Sequence, residues 1–257
     1  MGRHAAVACA ALVACIGLRP ARAGADGPGC PGYISVPAAQ ATFYTVASPE
    51  CSLPVSPGDF VTAVATPDFQ DSAACGRCLD VTGPLGSVLV RVVDSCPSCA
   101  AGDLDLGADA FAQIAKPSDG IAAISYVSTE CPVVGPIGVY FSMTSNPYYA
   151  QVQIRNHRYG VASVEAYTGS AWVDLPRSPD DYFEYNRGSV VPDPIDLRVT
   201  DIHGDTLSES GIPFRADTEY AGTGQFALCP EPAAAAGAAL ALATTLLCRR
   251  MRVVAGR

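Results

Sequence analysis

The chain has 257 residues, with 25 acidic against 16 basic side chains, a formal charge of −9 and a pI near 4.7. That balance disfavours nucleic acid or another polyanion as the main ligand and is compatible with a neutral polymer. The length allows one or two domains.

The chain opens with Arg3 and His4, an apolar run from Ala5 to Leu18, and an Ala-x-Ala site at Ala21–Ala23. This predicts a secretory signal peptide over residues 1–23. Within it, Leu12 to Cys15 has the form of a lipoprotein cleavage site, which leaves Cys15 as an alternative first residue. The exported body, about 24–232, then holds eight cysteines: Cys30, Cys51, Cys75, Cys78, Cys96, Cys99, Cys131 and Cys229. Four of them spell C-x2-C-x17-C-x2-C, a spacing that suits a structural zinc. Export favours disulfides instead, because an even cysteine count meeting oxidants pairs before a metal site matures. Neither CxxC opens a helix after a buried strand, so a thioredoxin-like dithiol is disfavoured as well.

Short alternating or β-branched runs follow at 60–65, 78–83, 87–94 and 121–128, separated by SPGD, TGPLG and KPSDG. This is an all-β pattern. One helix is predicted over Ala108 to Ile114, with Phe111 and Ile114 facing inward. The strand SVLVRVVD ends at Asp94, and LDLG follows a CxxC loop. An extended LDLG buries Leu104 and Leu106 and turns Asp105 outward, toward Asp94. Two carboxylates brought close raise the pKa of one of them, which prepares a general acid. The plainer alternative is that Asp105 caps the helix that starts at Ala108.

PVVGPIG, residues 132–138, reads as a linker. Beyond it, runs at 139–143, 149–156, 161–167, 171–175, 196–202 and 225–229 predict a small β-sandwich over 139–229. Trp172, the only tryptophan, is expected in its core. His157 and His203 lie in strand–turn segments without a metal-ligand cluster, and Arg155 and Arg158 are expected to be solvated or paired with acids. An apolar run from Ala233 to Cys248, followed by Arg249, Arg250 and Arg252, ends the chain. As a helix it spans about 24 Å, short of a ~30 Å hydrocarbon core. It reads as a membrane anchor or, from its resemblance to the PEP-CTERM signal (Pro230-Glu231-Pro232, apolar helix, arginines), as a sorting tail over 230–257 and a transient membrane association.

ATFY (41–44), ACGRCLDVTGP (74–84), VRVVDSCPSC (90–99) and LDLGADAF (104–111) together resemble the first domain of expansins, a six-stranded double-psi β-barrel shared with family-45 endoglucanases. The second half, from YYAQVQIRNHRYG to LRVTDIHGD, resembles the expansin carbohydrate-binding domain, an immunoglobulin-like sandwich. The resemblance implies a barrel over 30–131 and a sandwich over 139–229. It places Asp105 on the family's essential aspartate, Asp94 on its second aspartate and Thr42 beside them in one groove. Gly107 replaces a serine of the motif, and Cys96 replaces a groove tyrosine. Tyr148, Tyr149 and Tyr182 fall on the aromatic face that binds polysaccharide. The pairing it implies is Cys51–Cys75 and Cys78–Cys131, with Cys96–Cys99 local and Cys30–Cys229 tying the ends.

The hydrolases of this barrel carry a base on the first strand, where AQATFYTVAS has no carboxylate. An inverting glycosidase needs that second carboxylate to activate water. The resemblance therefore implies a non-hydrolytic protein acting on cellulose, a related glucan or peptidoglycan at the cell surface, with no metal or cofactor. Two alternatives stand beside it: a peptidoglycan lytic transglycosylase with Asp105 as acid, and a matrix-binding protein in which Asp105 is structural.

Overall fold

A computed structural model describes residues 33–229. The signal segment, Cys30 and the apolar run 233–248 lie outside the described residues. Among the described residues, no helix is long and apolar enough to cross a membrane.

Six strands close the first barrel: β1 Ser35–Tyr44, β2 Val61–Ala65, β3 Cys78–Gly83, β4 Gly86–Cys96, β5 Leu104–Gly107 and β6 Ala122–Thr129. Their order is β1-β5-β2-β4-β3-β6, with β1–β5 and β2–β4 parallel and the remaining pairs antiparallel. This is the double-psi barrel. Closure removes the exposed strand edges. Alternation sorts the faces: Val64, Val90, Val92, Leu104 and Leu106 fill the interior. Two short helices, α1 Thr66–Phe69 and α2 Ala108–Ile114, pack against it. Phe111 and Ile114 of α2 are fully buried, which supplies the apolar contact that a seven-residue helix cannot do without.

The second domain is a sandwich of two four-stranded sheets. One has β10 Trp172–Asp174, β9 Val161–Tyr167, β12 Ile195–Asp201 and β13 Thr206–Ile212 in that order. The other has β11 Phe183–Tyr185, β8 Ala150–Arg155, β7 Gly138–Phe141 and β14 Thr218–Ala221. Two expectations fail here. Residues 225–229 form no strand; Phe226 is buried but its segment pairs with neither sheet. Trp172 is not in the core either. In β10 it is Val173 that packs inward, so Trp172 turns out, opposite Tyr167 and beneath the Arg198 guanidinium at 4.3 Å.

The disulfides are Cys51–Cys75, Cys78–Cys131 and Cys96–Cys99, and Cys229 is also disulfide-bonded. The four thiols of the C-x2-C-x17-C-x2-C pattern are thus distributed over three bridges and do not form one tetrahedral set. Loop length ranks their worth. Cys78–Cys131 spans 53 residues and Cys96–Cys99 only 3. Chain-entropy arithmetic gives about 4 kcal/mol for the first and about 1.5 kcal/mol for the second. A Cys78→Ser/Cys131→Ser chain should therefore lose more than twice the denaturation free energy that Cys96→Ser/Cys99→Ser loses. Equal losses in urea titrations would contradict the ranking.

The junction between the domains is tightly held. Cys131 N–H donates to Arg158 O, and Asn156 Nδ2 donates to Val134 O and Pro136 O of the linker. Gly76, at φ +71°, leaves no room for a Cβ against the His157 ring. His157 is buried, with Nδ1 2.7 Å from Tyr159 O.

Candidate functional site

LDLG is a strand because Leu104 and Leu106 both find the barrel interior, and this alternation sends Asp105 to the outer face. β1 runs parallel beside it, with Thr42 opposite Asp105. Thr42 Oγ1 donates to Asp105 Oδ1 at 2.7 Å, while Oδ2 has no partner among the described residues. Asp105 does not cap α2, whose N-cap is Gly107 with no side-chain capping bond.

Asp94 reaches the same face by a different device. β4 pairs in parallel with β2, but the register shifts, so that Thr62 faces Val92 and Ala63 faces Asp94. The extra residue, Val93, is a bulge that re-aims the strand end. Asp105 also pairs with Ala63, from the other side of β2. Both aspartates therefore flank Ala63, two strand spacings or roughly 10 Å apart at Cα. They share this outer face without touching. Asp94 Oδ1 accepts the N–H groups of Glu50 and Ser95 at 2.9 and 3.0 Å, and Glu50 in turn accepts the Ser95 hydroxyl.

Ala63 lies on the outer face yet is 2 % exposed. Tyr44, two residues beyond Thr42 on the same face of β1, lies near both aspartates. Its pKa is raised, first by burial and then by Asp94 and Asp105. Its hydroxyl is buried beside Asp94 without a hydrogen bond of normal geometry. Tyr44 is a ring beside both aspartates that the ATFY motif contains and the sequence analysis does not single out. Residues 33–131 hold eleven acidic side chains and three basic ones. Of the three, Arg91 is ion-paired with Asp59, and among the described residues no ion pair involves Asp94 or Asp105.

In the sandwich, the outer face of the β11-β8-β7-β14 sheet carries Gln151, Gln153 and Arg155 along β8, with Tyr149 one residue before it, Glu184 on β11 and Tyr140 on β7. Tyr148 stands at a tight turn, 63 % exposed. Tyr149 is half-buried and donates its hydroxyl to Glu184 at 2.7 Å; burial and that carboxylate push its pKa up to about 12. Tyr182, one residue before β11, falls opposite Gln153, with its pKa raised by burial against the opposing pull of Arg155. The three tyrosines thus belong to one face and its edge. Tyr140, which the sequence reading passed over, joins them under the Arg155 guanidinium at 3.6 Å. Arg155 also pairs with Glu219 at 2.8 Å.

A closed barrel with two aspartates on one outer face, followed by a sandwich with an aromatic outer face, defines a two-domain double-psi-barrel protein. Residues 61–126, which include Asp94 and Asp105, match the family model described as "Lytic transglycolase". An EG45-like domain containing protein of Arabidopsis thaliana is 38% identical over 34% of the chain and 78% of its own length. Expansin-like protein 2 of Dictyostelium discoideum is 31% identical over 67% of the chain, which spans 44% of that relative's length. The crystal structure of the expansin of Clavibacter michiganensis, 29% identical, superposes with a TM-score of 0.71 over 77% of this chain and all of its own. The chain belongs to the expansin-like proteins of bacterial type.

Proposed function

We propose that this protein binds a neutral cell-wall polysaccharide, cellulose or a related glucan, and loosens it without cleaving it. The observation that carries the reading is the shared outer face of Thr42, Asp105, Ala63 and Asp94, continued by an aromatic sheet face in the second domain. A mutant of the Clavibacter michiganensis expansin has been solved in complex with cellohexaose, which supports a glucan as the ligand class.

In this reading Asp105 accepts a hydrogen bond from a sugar hydroxyl while Thr42 fixes the carboxylate. Asp94, held by two backbone N–H groups, does the same on the far side of Ala63. Tyr148 and Tyr149 cover the apolar C–H faces of the sugars, where rigid rings supply contact area at little entropic cost. Acid-rich walls repel uronate or phosphate polymers. β1 carries no carboxylate to activate water, which supports non-hydrolytic action. Export to the cell surface, the domain limits 30–131 and 139–229, and the cleavable tail belong to the same proposal.

A second reading follows from the family model over 61–126: a lytic transglycosylase in which Asp105 protonates the leaving oxygen and the 6-hydroxyl of the sugar attacks. One assay separates the two. The protein is incubated with cellulose and with purified peptidoglycan, and the soluble fraction is analysed. Binding and loosening of cellulose with no released sugar is expected, and anhydromuropeptides in the supernatant would establish the second reading instead. The platform is tested in the same assay. Tyr148→Ala/Tyr149→Ala is expected to weaken cellulose binding by roughly ten-fold or more, at about 1 kcal/mol per ring. Unchanged depletion isotherms would remove these residues from the binding face.

A further inference from the structure

We propose that Gln153 is a positioning residue that holds the tyrosine face of the sandwich in register with the barrel groove, so that one glycan chain engages both. The proposal rests on the polysaccharide reading above.

Gln153 lies on the outer face of β8 and should be solvated there, yet it is fully buried. The barrel covers it. Its Nε2 donates to Cys51 O at 2.9 Å across the domain junction, and its Oε1 accepts Arg155 Nε at 2.8 Å. Each end of this amide leads to a groove or platform residue. On the barrel side, Cys51 is bridged to Cys75, its N–H donates to Val93 O at the β4 bulge, and the adjacent Glu50 N–H donates to Asp94. On the sandwich side, Arg155 lies over the Tyr140 ring and bears on Tyr182. The path Asp94–Glu50–Cys51–Gln153–Arg155–Tyr140 is continuous through hydrogen bonds, one peptide link and a cation–π contact. A buried amide that satisfies a backbone carbonyl on one domain and a guanidinium on the other fixes their relative placement. Losing either bond leaves a polar group unpaired in a dry interface. Gln153 touches no solvent and therefore no glycan, so its part is to set spacing.

The test compares cellotriose, short enough for one surface, with cellohexaose. Linking two surfaces makes the second contact intramolecular, so the unmodified chain should bind the hexaose at least about ten-fold more tightly than the triose. Gln153→Met, similar in volume but unable to bond, should bring that ratio close to one while cellotriose affinity is kept. Asp105→Asn should remove the same increment, and the double variant should lose no more than either alone, because each interrupts one shared contact. Gln153→Glu, which keeps the acceptor for Arg155 and loses the donor for Cys51 O, should behave like Gln153→Met if the latter folds poorly. Retention of the ratio in a folded Gln153 variant, or additive losses in the double variant, overturns the positioning role. Failure of the unmodified chain to bind either oligosaccharide overturns the polysaccharide reading itself and the role with it.

Discussion

Asp105→Asn should leave the barrel intact and cut cellulose loosening by roughly ten- to a hundred-fold. Asparagine keeps the oxygen that accepts from Thr42 Oγ1, so the local geometry survives. What is lost is the charge, and hydrogen bonds to charged groups contribute about 1.5–3 kcal/mol. Creep of plant wall strips under load reads the effect, with the melting temperature as control. Thr42→Val, which frees the carboxylate to rotate but keeps its charge, should lose less than Asp105→Asn. Full creep with Asp105→Asn at an unchanged melting temperature would leave Asp105 structural and favour a matrix-binding protein.

The second large effect concerns acid. His157 is buried at the domain junction, and its pKa is lowered from 6.5 to about 4, chiefly by burial. Its Nδ1 bond to Tyr159 O opposes that shift, while the nearby Arg91 and Arg177 add to it. The unfolded chain therefore binds a proton that the folded chain refuses between pH 6.5 and 4. Stability contributed by the neutral ring is present above pH 6.5 and falls as the pH drops toward 4. The loss amounts to about 3 kcal/mol. Asp181, 2.7 Å from Arg177, is pushed up to about 7 by burial. A raised carboxyl pKa has the opposite sign, costing stability as the pH rises. The difference between the wild-type chain and His157→Gln cancels Asp181. The pH dependence of that difference should account for about 3 kcal/mol in urea titrations run from pH 7 to pH 4. A variant with the wild-type acid sensitivity would show that another group sets it.

Much of the barrel was legible in the sequence because its strands obey alternation, but β1, whose register breaks between Val36 and Ala39, is not among the alternating runs. CLDVTG and the helix Ala108–Ile114 fall on their observed limits, and LDLG displays Asp105 by the same rule. The sandwich was less legible where its strands break that rule. β13 buries Glu209, which accepts the N–H and hydroxyl of Thr223. An inward carboxylate hides a strand from any hydrophobic pattern. Trp172 misled through size alone: on a short edge strand, parity with Val173 outweighs the apolar area of an indole. Gln153 carried no signal, because a polar residue on an outer face looks ordinary until the barrel is seen to cover it. The groove itself was only half legible. Asp105 and Thr42 follow from pairing on neighbouring strands, whereas Asp94 reaches Ala63 only through the extra residue in β4, which alternation does not encode.

That extra residue has a consequence for how such a groove can be gained or lost. Without the bulge at Val93, Ala63 would face Val93 rather than Asp94, and a valine would look into the groove. The carboxylate is thus placed by a count of residues as much as by its own identity. Removing Val93 would leave Asp94 opposite Ala63 in a regular register, whereas pairing out the bulge with Val93 kept would turn a valine to this face and the carboxylate to the other.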